Sequence, residues 1–293
     1  MGLGEALSLA CALGWAFVLL LFRRAGRSVH PFALNLTKNS VAFALFVPTI
    51  LVWHGLRIPE ISALDYGRLL LSGFLGLAVA DTFIFMSLNI LGAGLMAILE
   101  CLYSPFIILF SFVLLHERLL PIQWVGCALV VGAVLLVSLR ENVSLVPRRD
   151  LIRGVALGAV ATLLIAAGVV IAKPSLDRTP LLWSIEIRYL AGVLGLCVFV
   201  PFLKHTGVTK LRLSIPRKDW MMVLGSAVAA YFQMILWLGG MKYAQASIAG
   251  VLNQTATIFT ILLAAVFLRE PLTRHRMAAA AIAMSGVLLI TLN

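Results

Sequence analysis

The sequence predicts an all-α integral membrane protein with ten transmembrane helices, arranged as two inverted five-helix repeats. Three observations predict this fold: an apolar composition, ten long apolar runs, and a match between the two halves of the chain. Of the 293 residues, 62% are hydrophobic and 12% are charged, and the mean hydropathy is +1.05. Soluble domains carry about 25% charged residues. The composition therefore excludes a soluble enzyme, a disordered chain and a disulfide-stapled secreted domain.

Each of the ten apolar runs is close to the length of about 20 residues that a helix needs to cross a hydrocarbon core about 30 Å thick. The runs are continuous rather than alternating, so we predict helices and not the strands of a barrel. They cover residues 3–22, 32–53, 68–88, 93–115, 121–139, 152–172, 181–203, 220–240, 244–268 and 275–292.

The formal net charge of +11 arises from basic residues that lie almost entirely between the apolar runs. Because they form no single solvated face, we expect them to orient the helices in the bilayer and expect no nucleic-acid partner. Lys and Arg concentrate in the loops after the odd-numbered runs, such as residues 23–27 and 140–153. The positive-inside rule then predicts that these loops are cytoplasmic and that both termini lie outside.

Sequence motifs for catalysis or metal binding are missing from the chain. The His116-Glu117 pair lacks the second His of a zinc-binding HExxH motif, and no Gly-x-Ser-x-Gly elbow or Gly-rich phosphate loop occurs. The four cysteines lie inside apolar runs without metal-ligand spacing. We therefore expect no enzymatic activity, no catalytic residue, no metal and no cofactor.

The two halves of the chain match when one is shifted by 153 residues, which places Glu117 on Glu270 and Pro48 on Pro201. We predict one repeat at residues 1–139, a linker loop at 140–151 and a second repeat at 152–293. Because each repeat holds five spans, the second is inverted relative to the first. Inverted repeats place a binding site at their interface and open it alternately to each side. This predicts a transporter, with a passive pore and an intramembrane enzyme as the alternatives.

Two carboxylates, Asp81 and Glu100, lie about nine to ten residues on either side of the predicted turn between spans 3 and 4, or ~14 Å along each helix. Both are thus predicted near the midplane, where a charge costs at least about 2.5–3.5 kcal/mol and usually marks a pathway or an internal pair. Two such groups at one depth suit proton coupling. Asp81 could equally form a structural bridge with Lys38 or Arg188, whereas we favour a transport role for Glu100.

The second repeat offers amides at matching depth, namely Gln233 and Asn253, the repeat partner of Glu100, and Gln254 adds polar lining. Carboxylates in one half and amides in the other suit a zwitterionic or hydrogen-bonding substrate, although polar residues in spans often serve helix packing. Four aromatic side chains could form walls of the site or could instead pack in the core or face lipid: Trp15, Tyr103, Tyr231 and Trp237.

The remaining charged residues of the spans are predicted to be structural. Glu186 and Arg188 are two residues apart and point in different directions, so we expect Arg188 to pair with a carboxylate elsewhere, and Lys38 holds the comparable position of span 2. Glu117 and Glu270 are expected to pair with the arginines beside them at the membrane surface. Pro105 predicts a kink next to Glu100.

Several of these segments together resemble the EamA-type family of the drug/metabolite transporter superfamily. The resemblance covers both halves of the chain, and the segments that carry it are residues 14–16, 76–83, 91–93, 104–105, 115–119 and 268–272. It implies ten helices in two inverted units, a cavity between spans 1, 3, 4, 6, 8 and 9, and export of small metabolites such as amino acids. Ile258 replaces a proline of the family pattern, and the family's termini are cytoplasmic, opposite to the prediction from loop charge.

From these observations we expect a secondary active transporter that exports a small metabolite, an amino acid or a related compound, by alternating access and with proton coupling. A multidrug or organic-cation exporter of the same superfamily is the alternative. The expected partners are a small-molecule substrate and the lipid bilayer. We expect a monomeric, multi-pass protein of the cell membrane, in bacteria the inner membrane.

Overall fold

The computed structural model describes residues 2–55, 58–115, 120–140, 147–205, 214–243 and 252–291. These residues are mostly helical and contain no β-strand. The helices are α1 (Leu3–Ala25), α2 (Pro31–His54), α3 (Ala63–Leu91), α4 (Ala93–Glu100), α5 (Tyr103–Leu115), α6 (Pro121–Arg140), α7 (Arg148–Arg178), α8 (Leu181–His205), α9 (Trp220–Tyr243), α10 (Ala256–Leu268) and α11 (Arg274–Thr291).

The predicted all-α membrane fold is confirmed. Within the described residues, seven helical segments are long and apolar enough to cross a membrane, and two shorter apolar helices lie at Pro121–Leu136 and Leu252–Leu268. With α11 added, these helices correspond to the ten predicted spans. The fourth span consists of α4 and α5.

Helix packing follows the inverted repeat. α1 packs against α9 and α10 of the second repeat, and α7 packs against α3 and the α4–α5 pair of the first repeat. α1 and α7 are equivalent helices, and so are their partners, so the same pairs form in both directions. Three further pairs, α2 with α8, α4 with α10 and α6 with α11, join equivalent helices of the two repeats. The two units are therefore related by an approximate two-fold axis.

A π-helical stretch, Phe74–Ala80, interrupts α3 between α-helical Ala63–Gly73 and Asp81–Leu91. A wider turn leaves carbonyl groups without their usual i→i+4 donors. Side-chain amides of α2 satisfy two of these, since Asn35 Nδ2 donates to the carbonyls of Leu77 (2.8 Å) and Ala78 (3.2 Å), and Asn39 Nδ2 also donates to Leu77 (3.0 Å). This places the start of the second half of α3, at Asp81, beside α2.

The fourth and ninth spans both break at equivalent points. Between α4 and α5 the backbone tightens at Cys101 and Leu102, as the kink prediction for Pro105 anticipated. In the ninth span the break falls at Thr255, whose hydroxyl donates to the carbonyl of Leu252 (2.5 Å). The break in the ninth span therefore coincides with this hydrogen bond of Thr255, whereas the equivalent break in the fourth span lies close to Pro105.

At one end of the bundle, Glu270 joins the repeats. Its carboxylate accepts hydrogen bonds from the backbone N–H groups of Ala93 (2.8 Å) and Gly94 (3.0 Å) at the start of α4. Gly92 has φ +85°, and a Cβ there would lie 2.7 Å from Glu270 Oε1, so only glycine fits this turn. Arg276 Nη1 and Arg23 Nε lie 3.5 and 4.0 Å from the same carboxylate.

At the opposite end, Asp65 joins α3 to α7. Its carboxylate accepts hydrogen bonds from Ser175 Oγ and Arg178 Nη2, both at 2.7 Å, and from Ser62 Oγ. The Asp65 side chain is buried. Both ends of the bundle therefore carry polar contacts between the first and second repeats.

Candidate functional site

A central cavity of about 200 Å³ lies between the two repeats, and its walls come from the first-repeat helices α1 to α5 and the second-repeat helices α7 to α9 together with the start of the ninth span and α10. One water molecule needs roughly 10–15 Å³ by a comparable measure, so the cavity is large enough for a compact metabolite. Ten of the residues singled out in the sequence line it: Trp15, Lys38, Asp81, Glu100, Tyr103, Arg188, Gln233, Trp237, Asn253 and Gln254.

Lys38 and Asp81 form a buried ion pair on one wall of the cavity. Lys38 Nζ donates to Asp81 Oδ2, and Lys38 also lies over the ring of Phe85, 5.6 Å from its centroid. The partner of Asp81 is thus Lys38, one of the two candidates for a structural bridge. Because a buried charge without its partner is costly, this pair holds α2 against α3.

Glu100 lies on another wall without a cationic partner. Trp15 Nε1 donates a hydrogen bond of 2.9 Å to Glu100 Oε2, and no Lys or Arg of the described residues lies within 4 Å of this carboxylate. An indole N–H is a neutral donor and leaves the charge of the carboxylate uncompensated. Glu100 is therefore available to a proton or to a cationic group of a ligand.

The amide side chains of the second repeat carry unused hydrogen-bonding capacity. Gln233 Nε2 donates to the carbonyl of Cys11 (3.0 Å), but its Oε1 is buried without a partner. A Cβ at position 14 would lie 2.6 Å from that oxygen, so Gly14 gives Gln233 its room. Asn253 Nδ2 and Oδ1 and the Tyr103 hydroxyl are likewise buried without partners among the described residues. Such atoms need partners, which a polar ligand in the cavity would supply.

Arg188 completes the set of charges in the cavity. Its guanidinium lies over the ring of Trp237, 5.7 Å from the centroid. The expected pairing of Arg188 with a carboxylate is not found among the described residues, because Asp81 is taken by Lys38 and Glu100 is bonded to Trp15.

Comparison with known sequences and structures shows which proteins this chain is similar to. The sequence pattern of the EamA-like transporter family matches residues 2–139 and again residues 152–292. The chain belongs to the EamA-like transporter family. An uncharacterized transporter of Archaeoglobus fulgidus is 22% identical over 279 residues, which cover 94% of each chain. One crystal structure of a protein with 19% identity superposes on 98% of this chain and 96% of its own, with a TM-score of 0.68, and so shows the same fold.

The resemblance to the EamA-type family is thereby confirmed, as is the multi-pass membrane character of the chain. Transport rather than catalysis is the activity to which the family and the archaeal relative point. Among the described residues, no cluster of three His, Cys, Asp or Glu side chains could hold a metal ion.

Three described residues with predicted roles, Tyr231, Glu186 and Glu270, do not line the cavity of the transporter. Tyr231 was predicted either as a wall of the site or as a packing residue, and it packs on Phe46 with its hydroxyl 2.6 Å from Thr49 Oγ1. Glu186 is buried outside the cavity, and its Oε2 has no partner among the described residues. Glu270 contacts the start of α4 rather than pairing with Arg269. Glu117 lies outside the described residues.

Sequence reasoning missed the side chains that support the site. Asn35 and Asn39 hold the π-helical stretch before Asp81, and Cys11 accepts from Gln233 through both its carbonyl and its Sγ. The i, i+4 spacing of two asparagines around Lys38, inside an otherwise apolar span, was the signal that could have identified the α2 face of the site.

Proposed function

We propose that this EamA-like transporter exports a small zwitterionic metabolite, an amino acid or a related compound, by alternating access coupled to proton movement. One observation carries the proposal. A cavity between two inverted repeats contains a carboxylate, Glu100, that has no cationic partner among the described residues, together with amide and hydroxyl groups that likewise lack partners there. A substrate with an ammonium group and hydrogen-bonding groups complements these side chains.

Alternating access is supported by the symmetry of the packing. Each repeat presents the same interhelical surfaces to the other, so rocking of one unit can produce an outward-open and an inward-open state of similar energy. Polar contacts between the repeats occur at both ends, at Glu270 and at Asp65. Opening toward either side loosens the contacts at that end while those at the other end persist.

Proton coupling is supported by the isolation of Glu100. A buried carboxylate that lacks a cation is stabilised either by a proton or by a cationic group of the substrate. Because both cannot occupy the carboxylate at once, binding of one favours release of the other. Trp15 keeps the carboxylate oriented toward the cavity in both conditions, since its N–H can donate to the protonated or the ionised form.

The transport unit is proposed to be the monomer in a cell membrane, the inner membrane in bacteria. Both repeats of a single chain contribute to the described walls of the cavity, which supports the monomer as the transport unit.

Counterflow in proteoliposomes tests the proposal. Vesicles loaded with one unlabelled amino acid at a time are diluted into the labelled compound, with protein-free vesicles as the control. We expect saturable accumulation that depends on the internal substrate, and uptake that responds to an imposed pH gradient. Flux without saturation or counterflow indicates a pore, a chemically altered product indicates an enzyme, and counterflow of organic cations alone indicates the multidrug alternative; each result contradicts the proposal.

A further inference from the structure

We infer that Arg188 is the binding site for a carboxylate group of the substrate, which makes this a transporter of amino acids or other organic anions rather than of simple amines. The inference rests on the proposed function, because it names the substrate class of the same cavity. Its starting point is a buried cation in the cavity wall that forms no ion pair with a carboxylate of the described residues.

The burial of Arg188 makes the lack of a partner costly. Arg188 is 3% exposed, and its Nε and Nη1 atoms are buried without hydrogen-bond partners among the described residues. An unpaired charge or hydrogen-bond donor in such an environment costs several kcal/mol. A ligand that supplies the anion removes this free-energy cost, and the free energy recovered contributes to the affinity of the ligand.

Trp237 is the aromatic neighbour of the guanidinium. Arg188 Cζ lies over its ring, 5.7 Å from the centroid, and a contact with the ring does not use the N–H groups of the guanidinium as hydrogen bonds to an acceptor would. A carboxylate binds Arg through these N–H groups with two parallel hydrogen bonds, a geometry that a single chloride ion or a neutral amide cannot reproduce.

The backbone beneath Arg188 is also fixed. A Cβ at Gly73 would lie 2.2 Å from the Arg188 carbonyl oxygen, so α3 and α8 are in direct backbone contact at this point. At Gly76, one turn further, a Cβ would lie 3.8 Å from Arg188 Nη2. The missing side chain at Gly76 therefore leaves open space next to the guanidinium.

The two ends of an amino acid then have separate partners. Arg188 receives the carboxylate, and Glu100, bonded to Trp15, receives the ammonium group. Asp81 lies within electrostatic range of Arg188, but its hydrogen-bonded ion-pair partner is Lys38. Tyr103 and Asn253 line the same cavity with free hydroxyl and amide groups for further hydrogen bonds.

Binding to the purified full-length protein tests the inference without requiring transport. The probes are four matched sets built on leucine, methionine, threonine and glutamine, each consisting of the amino acid, its carboxamide, the decarboxylated amine and the deaminated acid. Affinity is measured by ligand-dependent thermal stabilisation in detergent. For at least one set we expect the amino acid to bind at least about tenfold more tightly than its carboxamide, which corresponds to one charged hydrogen-bonding interaction.

Variants assign the discrimination to Arg188. We expect Arg188→Gln to weaken binding of the amino acid at least about tenfold and to bring it within about threefold of the carboxamide, whereas Arg188→Lys retains part of the preference. Lys173→Gln removes an exposed cation of α7 that bonds to Asp177 and serves as the matched control, with unchanged preference. If Arg188→Gln does not fold, the preference of the wild-type protein for the amino acid over its carboxamide still tests whether the cavity binds a carboxylate.

Three results overturn the inference: equal binding of acid and carboxamide, preference for the amine, or stabilisation by chloride but by no carboxylate probe. The proposed function fails separately. Carboxylate binding that depends on Arg188 without counterflow contradicts transport and leaves the inference standing. Counterflow of amino acids together with equal binding of the acid and its carboxamide supports transport and contradicts the inference.

Discussion

Cys101 Sγ lies 3.3 Å from Thr257 Oγ1 where the fourth and ninth spans cross, and the same distance separates Gln254 Nε2 from Ser104 Oγ. A shift of 153 residues converts Cys101 into Gln254 and Ser104 into Thr257, so each contact is the symmetry mate of the other. The approximate two-fold axis therefore passes between these two pairs, directly beside the cavity residues Glu100 and Asn253.

This crossing predicts a disulfide. We expect Thr257→Cys to form a disulfide with Cys101 under mild oxidation, because disulfides need Cβ atoms about 3.5–4.5 Å apart and the present side-chain atoms are already in contact. After cleavage at a protease site inserted between residues 140 and 147, the two halves should stay joined on a non-reducing gel. Thr255→Cys, two residues away on the same span, is the control that should separate; joining in both variants or neither contradicts the geometry.

Gly73 predicts a packing defect. We expect Gly73→Ala to lower the thermal stability of the transporter by at least about 1–3 kcal/mol, because the new Cβ would lie 2.2 Å from the backbone oxygen of Arg188 and the helices must separate. Gly67→Ala in the same helix has nothing within 4 Å of its Cβ and should be neutral or slightly stabilising. Unfolding midpoints in detergent compare the two, and equal midpoints would refute direct contact between α3 and α8.

The Lys38–Asp81 pair predicts a partial rescue. We expect Asp81→Asn alone to cost about 3–5 kcal/mol of stability, since it leaves Lys38 buried without a counter-charge. The double variant Lys38→Met with Asp81→Asn should recover most of that loss in thermal unfolding. Recovery of transport together with stability assigns Asp81 a structural role, whereas a stable double variant without transport places Asp81 in the transport pathway.

Glu100 predicts the pH dependence of transport. We expect Glu100→Gln to abolish the response of counterflow to external pH, because glutamine keeps an oxygen for the Trp15 N–H and cannot exchange a proton. The matched control is Glu60→Gln, which neutralises an exposed loop carboxylate and should retain the wild-type profile. A Glu100→Gln variant with the wild-type profile excludes Glu100 as the coupling group.

The hydrogen bonds of Glu270 to the start of α4 are expected to stabilise the contact between the repeats. We expect Glu270→Ala to destabilise the protein by about 1–2 kcal/mol, because the N–H groups of Ala93 and Gly94 lose an ionised acceptor at the start of α4. Asp177→Asn removes an exposed carboxylate whose pair with Lys173 is worth only about 0.3–0.5 kcal/mol. Equal effects of the two changes on the unfolding midpoint would show that the Glu270 contact adds nothing.

Prediction from the sequence was most successful where a single span carries the information. The ten apolar runs and the break near Pro105 can each be inferred from one helix and its hydropathy. Hydrocarbon thickness and helix geometry constrain such local features regardless of the neighbouring helices.

Prediction was least successful where two distant spans must meet. Tyr231 and Trp237 both lie on α9 and looked equivalent as walls, yet Trp237 faces the cavity and Tyr231 packs on Phe46. The rotation of α9 about its axis decides between them, and this rotation is set by contacts with α1 and α2. The π-helical stretch of α3 was also missed, because it depends on donors from Asn35 and Asn39 in another helix.

The sequence by itself determined that this chain is a ten-span membrane protein with a duplicated, inverted architecture, and which charged residues lie inside its spans. These properties follow from the cost of polar groups in hydrocarbon and from periodicity along the chain. Only the tertiary structure decided that Asp81 pairs with Lys38, that Trp15 bonds to Glu100 and that Arg188 has no carboxylate among the described residues. The partner of a buried charge depends on distances between helices that are far apart in sequence, and side-chain packing alone fixes those distances.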